Sequence, residues 1–198
     1  MNTMRKARAQ DALARLRAGN GRFAAEDRGR LALTAGQAPF AIVLGCSDSR
    51  VPAEQIFDQG LGDLFVIRVA GNIVAPSQIG SIEFAVERFG TRLVVVLGHS
   101  QCGAVLATLE ELRRPTEHQS PNLRSIVDRV RPAVEPLLAA RPDADTAALA
   151  AEAVRANVRA SVRELEHGST IIERLIREDG LVIVGAEYSL ETGVVSFL

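Results

Sequence analysis

The sequence is poor in cysteine, in long apolar runs and in net charge. Its two cysteines, Cys46 and Cys102, permit at most one disulfide, so the disulfide-rich class of small secreted domains is excluded. The longest apolar runs, such as residues 93–97, are far shorter than the roughly 20 residues of a membrane helix, and no apolar signal stretch follows the basic N-terminus. A formal net charge of -1 provides no basic field to attract nucleic acid or an anionic membrane. We therefore expect a cytoplasmic protein that binds a small neutral or anionic ligand.

The composition is that of a globular chain with one core. Hydrophobic residues make up 47% and charged residues 24% of the 198 positions. A chain of this length buries roughly 70% of the surface that its unfolded form exposes, so it needs no metal for stability. We predict a single domain over residues 1–198, in which any metal site is free to be catalytic.

Apolar runs rich in β-branched residues predict four strands, at residues 40–44, 64–69, 93–97 and 181–184. The runs are largely continuous rather than alternating, which indicates strands buried on both faces, as in a parallel sheet covered by helices. Helical patterns accompany them at residues 81–89, 103–112, 147–165 and 170–177. The predicted fold class is α/β, with a mostly parallel central sheet flanked by helices.

The remaining segments predict an N-terminal helix, a proline-interrupted stretch and a C-terminal pair of strands. Residues 5–24 have an amphipathic helical pattern that breaks at Gly19-Asn20-Gly21. Five of the eight prolines lie within residues 113–145, which predicts short helices and loops there rather than one long helix. Residues 185–197 predict a strand, a turn at Thr192-Gly193 and an antiparallel C-terminal edge strand.

Both cysteines lie where a predicted strand ends and a loop begins. Cys46 follows the strand at 40–44, whereas Cys102 follows the strand at 93–97 together with His99. Ligands of open parallel sheets bind beyond the carboxyl ends of the strands, so the three side chains could meet there. Two thiolates and an imidazole suit a catalytic zinc, which keeps its fourth position for water. A redox dithiol and two unrelated buried cysteines are the alternatives that the residues alone leave open.

Three motifs together give the sequence a family resemblance. In chain order they are Cys-Ser-Asp-Ser-Arg-Val-Pro from residue 46, Asp-Leu-Phe-Val-Ile-Arg-Val-Ala-Gly-Asn from residue 63, and Gly-His-Ser-Gln-Cys-Gly-Ala from residue 98. Their order and separation resemble those of the β-class carbonic anhydrases, and the likeness extends over nearly the whole chain. The resemblance implies a lyase that reversibly hydrates carbon dioxide to bicarbonate and a proton by zinc-bound hydroxide.

The resemblance implies roles for five residues around the metal. Cys46, His99 and Cys102 would bind one zinc ion per subunit, and Asp48 and Arg50 would form a catalytic dyad. Zinc lowers the pKa of bound water from 15.7 toward about 7 or 8, and an Asp48 held ionised by Arg50 would orient the resulting hydroxide. Asp48 could instead take the fourth zinc position in an inactive closed site. We expect the open site, in which Asp48 pairs with Arg50.

The resemblance also implies a substrate pocket. Gln37 would donate a hydrogen bond to substrate, the backbone amide of Gly103 would position bicarbonate, and Phe65, Ala70 and Phe84 would line the pocket for carbon dioxide. As residues alone, Phe65 and Phe84 fit a packed core equally well.

Assembly and alternative functions complete the set of expectations. The resemblance implies a homodimer or a dimer of dimers, in which an N-terminal helical arm over residues 1–35 packs on the partner subunit. Hydrolysis of carbonyl sulfide or carbon disulfide on the same scaffold stays open, as does a non-catalytic zinc protein that senses bicarbonate. The remaining histidines, His118 and His167, lie in polar contexts and are predicted to be surface residues.

Overall fold

The computed structural model describes residues 2–26, 29–116 and 120–198, so the prediction for His118 lies outside the described residues. Its internal contacts divide the chain into two compact units, Met1–Gln37 and Ala38–Leu198. Each unit is described by itself.

The first unit is mainly one long helix, α1 (Asn2–Ala25), followed by a 3₁₀ turn at Leu31–Leu33. The predicted break at Gly19-Asn20-Gly21 is wrong, because α1 continues through all three residues. A glycine inside a helix costs about 1 kcal/mol relative to alanine, and the neighbouring alanine, leucine and arginine residues favour the helix enough to offset this cost.

The second unit contains a five-stranded sheet in the order β2-β1-β3-β4-β5. Its strands are β1 (Ala41–Gly45), β2 (Leu64–Arg68), β3 (Leu93–His99), β4 (Val182–Tyr188) and β5 (Val195–Phe197). The first four strands pair in parallel, and β5 pairs antiparallel with β4 through a tight hairpin. The predicted α/β class, with a mostly parallel sheet and an antiparallel C-terminal edge, is confirmed.

Strand burial follows position in the sheet. Strand β1 lies inside the sheet, between β2 and β3, and is buried along its whole length, as its continuous apolar run predicts. Strand β2 lies at an edge, where it is only half-buried and ends in the exposed Arg68. The expectation that every strand is buried on both faces is therefore wrong for β2.

Helices flank the sheet at the places that the sequence predicts. They are α3 (Pro76–Arg88), α4 (Gly103–Arg113), α6 (Thr146–His167) and α7 (Thr170–Glu178), with a single short turn of helix, α2 (Ala53–Ile56), after β1. Helix α3 begins five residues before the predicted start at 81, because Pro76 at its first position is preorganised for helix and loses no hydrogen bond there. Residues of α3, α6 and α7 pack on one face of the sheet around Ile42, Leu44, Val94 and Val96.

Helix α5 (Pro121–Ala140) contradicts the prediction of short helices and loops across 113–145. It is a 20-residue helix with Pro132 and Pro136 inside it. Both prolines are exposed, so water can solvate the carbonyls that they leave without a backbone partner. On the opposite side Val127, Val130 and Val134 are buried, and their packing holds the helix together.

Among the described helices, none combines the length and the apolar character that a membrane span requires.

Candidate metal centre

The carboxyl edge of the sheet brings Cys46, His99 and Cys102 together. Cys46 directly follows β1, His99 is the last residue of β3, and Cys102 directly precedes α4. All three are buried, with 5%, 0% and 1% of their surface exposed, respectively. Their sulfur and nitrogen ligand atoms lie within 4.8 Å of one another. Ligand atoms on a single tetrahedral zinc lie roughly 3.5–4 Å apart, so this cluster can close around one ion.

His99 presents one ring nitrogen to this cluster. Its Nδ1 lies 2.8 Å from the carbonyl oxygen of Ser100, so Nδ1 carries the proton and donates it to that oxygen. Nε2 is therefore left with a lone pair, and within the described residues this buried atom has no hydrogen-bond partner. A buried polar atom without a partner is costly, and a metal ion satisfies it.

The two thiols show the same requirement for a cation. A hydrogen bond from the Cys102 thiol is the main reason that the pKa of Cys46 falls to about 4, although burial opposes the shift. The pairing raises the pKa of Cys102 far above its usual range, and burial raises it further. Two thiolates this close repel each other, so one proton stays between them unless a cation replaces it. The donor set therefore fits a divalent metal, and thiolate with imidazole favours zinc.

Backbone amides surround both sulfurs. The backbone amides of Val105 and Ala104, in the first turn of α4, act to lower the pKa of Cys102, and a helix N-terminus favours a thiolate. The Gly71 amide donates to Cys46 Sγ over 3.4 Å. Gly71 has a φ of +70°, a left-handed conformation that only glycine adopts without strain.

Helix α6 holds the turn that carries Gly71. Asn157 donates from Nδ2 to the Gly71 carbonyl over 2.8 Å, and Ser161 donates from Oγ to the Asn72 carbonyl over 3.0 Å. Asn157 and Ser161 are both buried on an otherwise apolar helix face. Their polar character on an apolar helix face is a signal visible in the sequence, but neither residue is among the predicted site residues.

Asp48 and Arg50 form the expected pair beside the cluster. Arg50 donates to Asp48 from its backbone nitrogen, from Nε and from Nη2, over 2.9, 2.9 and 2.7 Å. These hydrogen bonds, first of all those of the side chain, hold the pKa of Asp48 well below its usual range. Asp48 Oδ2 lies 4.0 Å from His99 Nε2, so the carboxylate borders the position that a metal would occupy.

Arg68 is a further residue of the centre: it lies within the second sequence motif, but it is not among the predicted site residues. From the end of β2 it donates through Nε to the Cys46 carbonyl over 2.9 Å and through Nη2 to the Asp48 carbonyl over 2.5 Å. Its guanidinium thus fixes the loop that carries both the first ligand and the carboxylate. No spacing rule connects residues that lie 20 and 22 positions apart.

The residues of the expected substrate pocket occupy different places. Gly103 begins α4 beside Cys102, and Ala70 begins the turn that contains Gly71, so both adjoin the metal cluster. Phe65 pairs in register with Ile42 of β1. Because Ile42 lies four residues before Cys46, Phe65 lies about 13 Å from Cys46 along the strand direction. Its ring lies 6.3 Å from the ring of Phe84, which is 54% exposed and is therefore no core residue.

Two residues lie apart from these groups. Gln37 is an exposed residue of the first unit, and its role stays a prediction. His167 is exposed at the end of α6, as expected.

Comparison with known proteins identifies the class to which this fold and centre belong. The sequence model of the carbonic anhydrase family matches residues 41–195. The fold is shared with β-carbonic anhydrase CafA of Aspergillus fumigatus, at a TM-score of 0.79 and 27% identity over 96% of this chain and 90% of the other. The chain belongs to the β-carbonic anhydrases, a family of zinc enzymes.

Individual bacterial relatives are closer in sequence. Carbonic anhydrase 2 of Mycobacterium tuberculosis is 43% identical over 164 residues, which is 83% of this chain and 76% of the relative. A carbonic anhydrase of Mycolicibacterium smegmatis is 42% identical over 186 residues, which is 90% of this chain and 87% of the relative. The family resemblance of the three sequence motifs is thereby confirmed, and the chain is a carbonic anhydrase.

Proposed function

We propose that the chain hydrates carbon dioxide reversibly to bicarbonate and a proton, with one zinc per subunit held by Cys46, His99 and Cys102. The observation that supports this most directly is the buried Nε2 of His99, which lies beside two paired thiols and 4.0 Å from the Asp48 carboxylate. Zinc, when bound there, supplies hydroxide near neutral pH by lowering the pKa of water.

In this proposal Asp48 orients the nucleophile. As a carboxylate it accepts a hydrogen bond from the attacking hydroxide and directs a lone pair towards the carbon of carbon dioxide. Arg50 keeps Asp48 ionised and occupies both of its oxygens, which favours the open site over the closed one in which Asp48 binds the metal. In this proposal the backbone amide of Gly103, at the start of α4, positions the bicarbonate product, which the exposed amides of a helix N-terminus favour.

We extend the proposal to the assembly. The chain forms a homodimer or a dimer of dimers, in which residues 1–35 are an arm on the partner subunit and Gln37 donates to substrate. Phe65 and Phe84, about 13 Å along β2 from Cys46 of their own chain, would then line the pocket of a partner subunit. Two β-carbonic anhydrases of Sordaria macrospora are described as tetrameric, and one of them shares the fold at a TM-score of 0.75 and 28% identity. Light scattering should give a mass near two or four times 21.2 kDa.

Stopped-flow hydration of carbon dioxide between about pH 6.5 and 9, on protein with verified zinc content, tests the proposed reaction. Wild-type protein should be active throughout this range, Cys102→Ser should lose zinc and activity together, and Asp48→Asn should keep zinc but lose activity. Asp143→Asn, which changes an exposed carboxylate before α6, is the matched control and should leave the rate unchanged. Activity only above about pH 8 would indicate the closed site. Full zinc without activity would refute the reaction and turn attention to carbon–sulfur substrates or a sensor.

A further inference from the structure

The two residues between the second and third ligands form a constrained loop. Gln101 has a φ of +56°, in the left-handed region that costs a residue other than glycine roughly 1–2 kcal/mol. This conformation turns the chain sharply enough for His99 and Cys102 to approach the same point. A conformation of this kind persists only when surrounding contacts hold it.

Glu191, from the hairpin between β4 and β5, makes such contacts with both loop residues. Ser100 donates from Oγ to Glu191 Oε2 over 2.8 Å, and Gln101 donates from Nε2 to Glu191 Oε1 over 2.6 Å. Ser189 donates to Oε2 over 3.1 Å, so both carboxylate oxygens are engaged. These hydrogen bonds, first of all that from Ser100, lower the pKa of Glu191 to about 2, and the group is charged throughout the neutral range.

Ser100 connects this carboxylate to the metal ligand. Its hydroxyl also accepts a hydrogen bond from the Leu190 amide over 3.0 Å, and its own amide donates to the Tyr188 carbonyl over 2.9 Å. The Ser100 carbonyl in turn accepts from Nδ1 of His99. The position of Ser100 therefore determines both the tautomer and the orientation of the His99 ring.

We propose that Glu191 is a positioning residue that holds the Ser100-Gln101 loop in the shape required for His99 and Cys102 to bind one metal ion. The inference rests on the proposed metal site. Glu191 does not touch the metal or the substrate, and it acts through Ser100 and Gln101. Without its carboxylate, Gln101 loses the contact that compensates its backbone strain, and the metal leaves more readily.

The test is the rate at which zinc passes from the loaded protein to a colorimetric chelator. Groups that support metal ligands in this way contribute about 10-fold to 100-fold to metal affinity. We expect Glu191→Ala to release zinc about 10-fold to 100-fold faster than wild type. The release rate of Glu191→Gln should lie between these two, because a glutamine side chain has one acceptor oxygen and can accept only some of the hydrogen bonds that the carboxylate accepts. Glu164→Ala, which removes an exposed glutamate from α6, is the matched control and should release zinc at the wild-type rate.

Two further readouts separate positioning from general stability. Metal-free Glu191→Ala should lose less stability than the change in zinc release corresponds to, as its melting temperature will show, and the visible spectrum of the cobalt-substituted variant should shift. The proposal would be overturned if Glu191→Ala released zinc at the wild-type rate. It would also be overturned if release were faster but the loss of stability of the metal-free variant accounted for the whole increase. If Glu191→Ala fails to fold, Glu191→Gln and Ser100→Ala give the same comparison. Zinc-loaded wild type that does not hydrate carbon dioxide would refute the proposed reaction and leave this test intact.

Discussion

Arg50 controls Asp48 by geometry as well as by charge. Its guanidinium meets the carboxylate in a fork, with Nε on one oxygen and Nη2 on the other. A fork of this kind fixes the plane of the carboxylate, whereas a single ammonium group does not. The direction in which Asp48 accepts a hydrogen bond thus depends on the side chain two residues further along the chain.

We predict that Arg50→Gln lowers the rate of carbon dioxide hydration about 10-fold to 100-fold, because misplacing a group that orients the nucleophile carries a cost of this order. Arg50→Lys should restore little of the rate, since lysine keeps the charge but loses the fork. The measurement is stopped-flow kcat/KM on samples matched in zinc content. A fully active Arg50→Lys would show that charge alone suffices.

Residue type and local position made the candidate ligands predictable, but not the residues that support them. Cys46, His99 and Cys102 could be chosen because they are rare residue types at strand ends. Asn157 acts through a carbonyl 86 residues away, and Glu191 through side chains 90 and 91 residues away. Hydrogen bonds across such separations exist only once the fold is formed, so no spacing in the sequence indicates them.

At the scale of elements, α6 packs closely on the sheet at two glycines, Gly98 and Gly185, which have no side chain. A Cβ built on Gly98 of β3 would lie 2.5 Å from Cγ2 of Val158, and one on Gly185 of β4 would lie 2.8 Å from Cγ1 of the same residue. Val158 therefore fills the space above two neighbouring strands. Because His99 follows Gly98 directly, this packing lies next to a candidate metal ligand.

We predict that Gly98→Ala lowers the free energy of unfolding by about 1–3 kcal/mol, the usual cost of overpacking a core. Urea unfolding measures the change, and Val158→Ala in the same chain should recover part of it. Gly80→Ala is a control of opposite sign: it lies in α3 with open space around its Cβ position, and alanine should stabilise the helix by up to about 1 kcal/mol. Equal stability of Gly98→Ala and wild type would contradict this account of the packing.

Local sequence rules succeeded for the strands and failed for α5. Continuous apolar runs rich in β-branched residues identified β1, β2, β3 and β4, because parallel strands covered by helices have apolar side chains on both faces. The prolines of α5 predicted interruptions, yet buried valines on one side hold the helix through Pro132 and Pro136. Tertiary packing outweighed a local penalty that the sequence shows clearly.

We predict that Pro132→Ala raises the free energy of unfolding by about 1–2 kcal/mol. Alanine restores the backbone hydrogen bond to the Asp128 carbonyl, a gain of up to about 3 kcal/mol, while the freer unfolded chain offsets up to about 1 kcal/mol. Pro121→Ala, at the first position of α5, should give no such gain because no hydrogen bond is missing there. Urea unfolding of both variants makes the comparison, and a destabilised Pro132→Ala would show that the proline fits a bend on which the packing depends.

At the scale of the molecule, one apolar cluster contains none of the candidate metal ligands, whereas a second one includes Cys46 and Cys102. On one face of the sheet, fully buried side chains such as Ile42, Leu44 and Ile82 pack together in a cluster that contains no candidate metal ligand. Composition alone predicted a core of this kind, since the chain is long enough to bury most of its apolar surface. Composition could not predict how copies of the chain assemble, because that depends on which apolar side chains, such as the exposed Phe84, the folded surface presents.

We predict that removing zinc leaves the fold intact and lowers only its stability. Zinc at 100 times its dissociation constant stabilises the folded chain by about 2.7 kcal/mol, and each kcal/mol shifts the melting temperature of a protein of this size by about 2–4 °C. Chelation should therefore lower the melting temperature by about 5–10 °C, or more if binding is tighter, with an unchanged far-ultraviolet circular dichroism spectrum. Cys102→Ser is the control, because its melting temperature should not respond to added zinc. Loss of the helical signal on chelation would show instead that the ion is needed to form the fold. In that case the cost of burying Cys46, Cys102 and His99 together without a cation would exceed the stability of the metal-free chain.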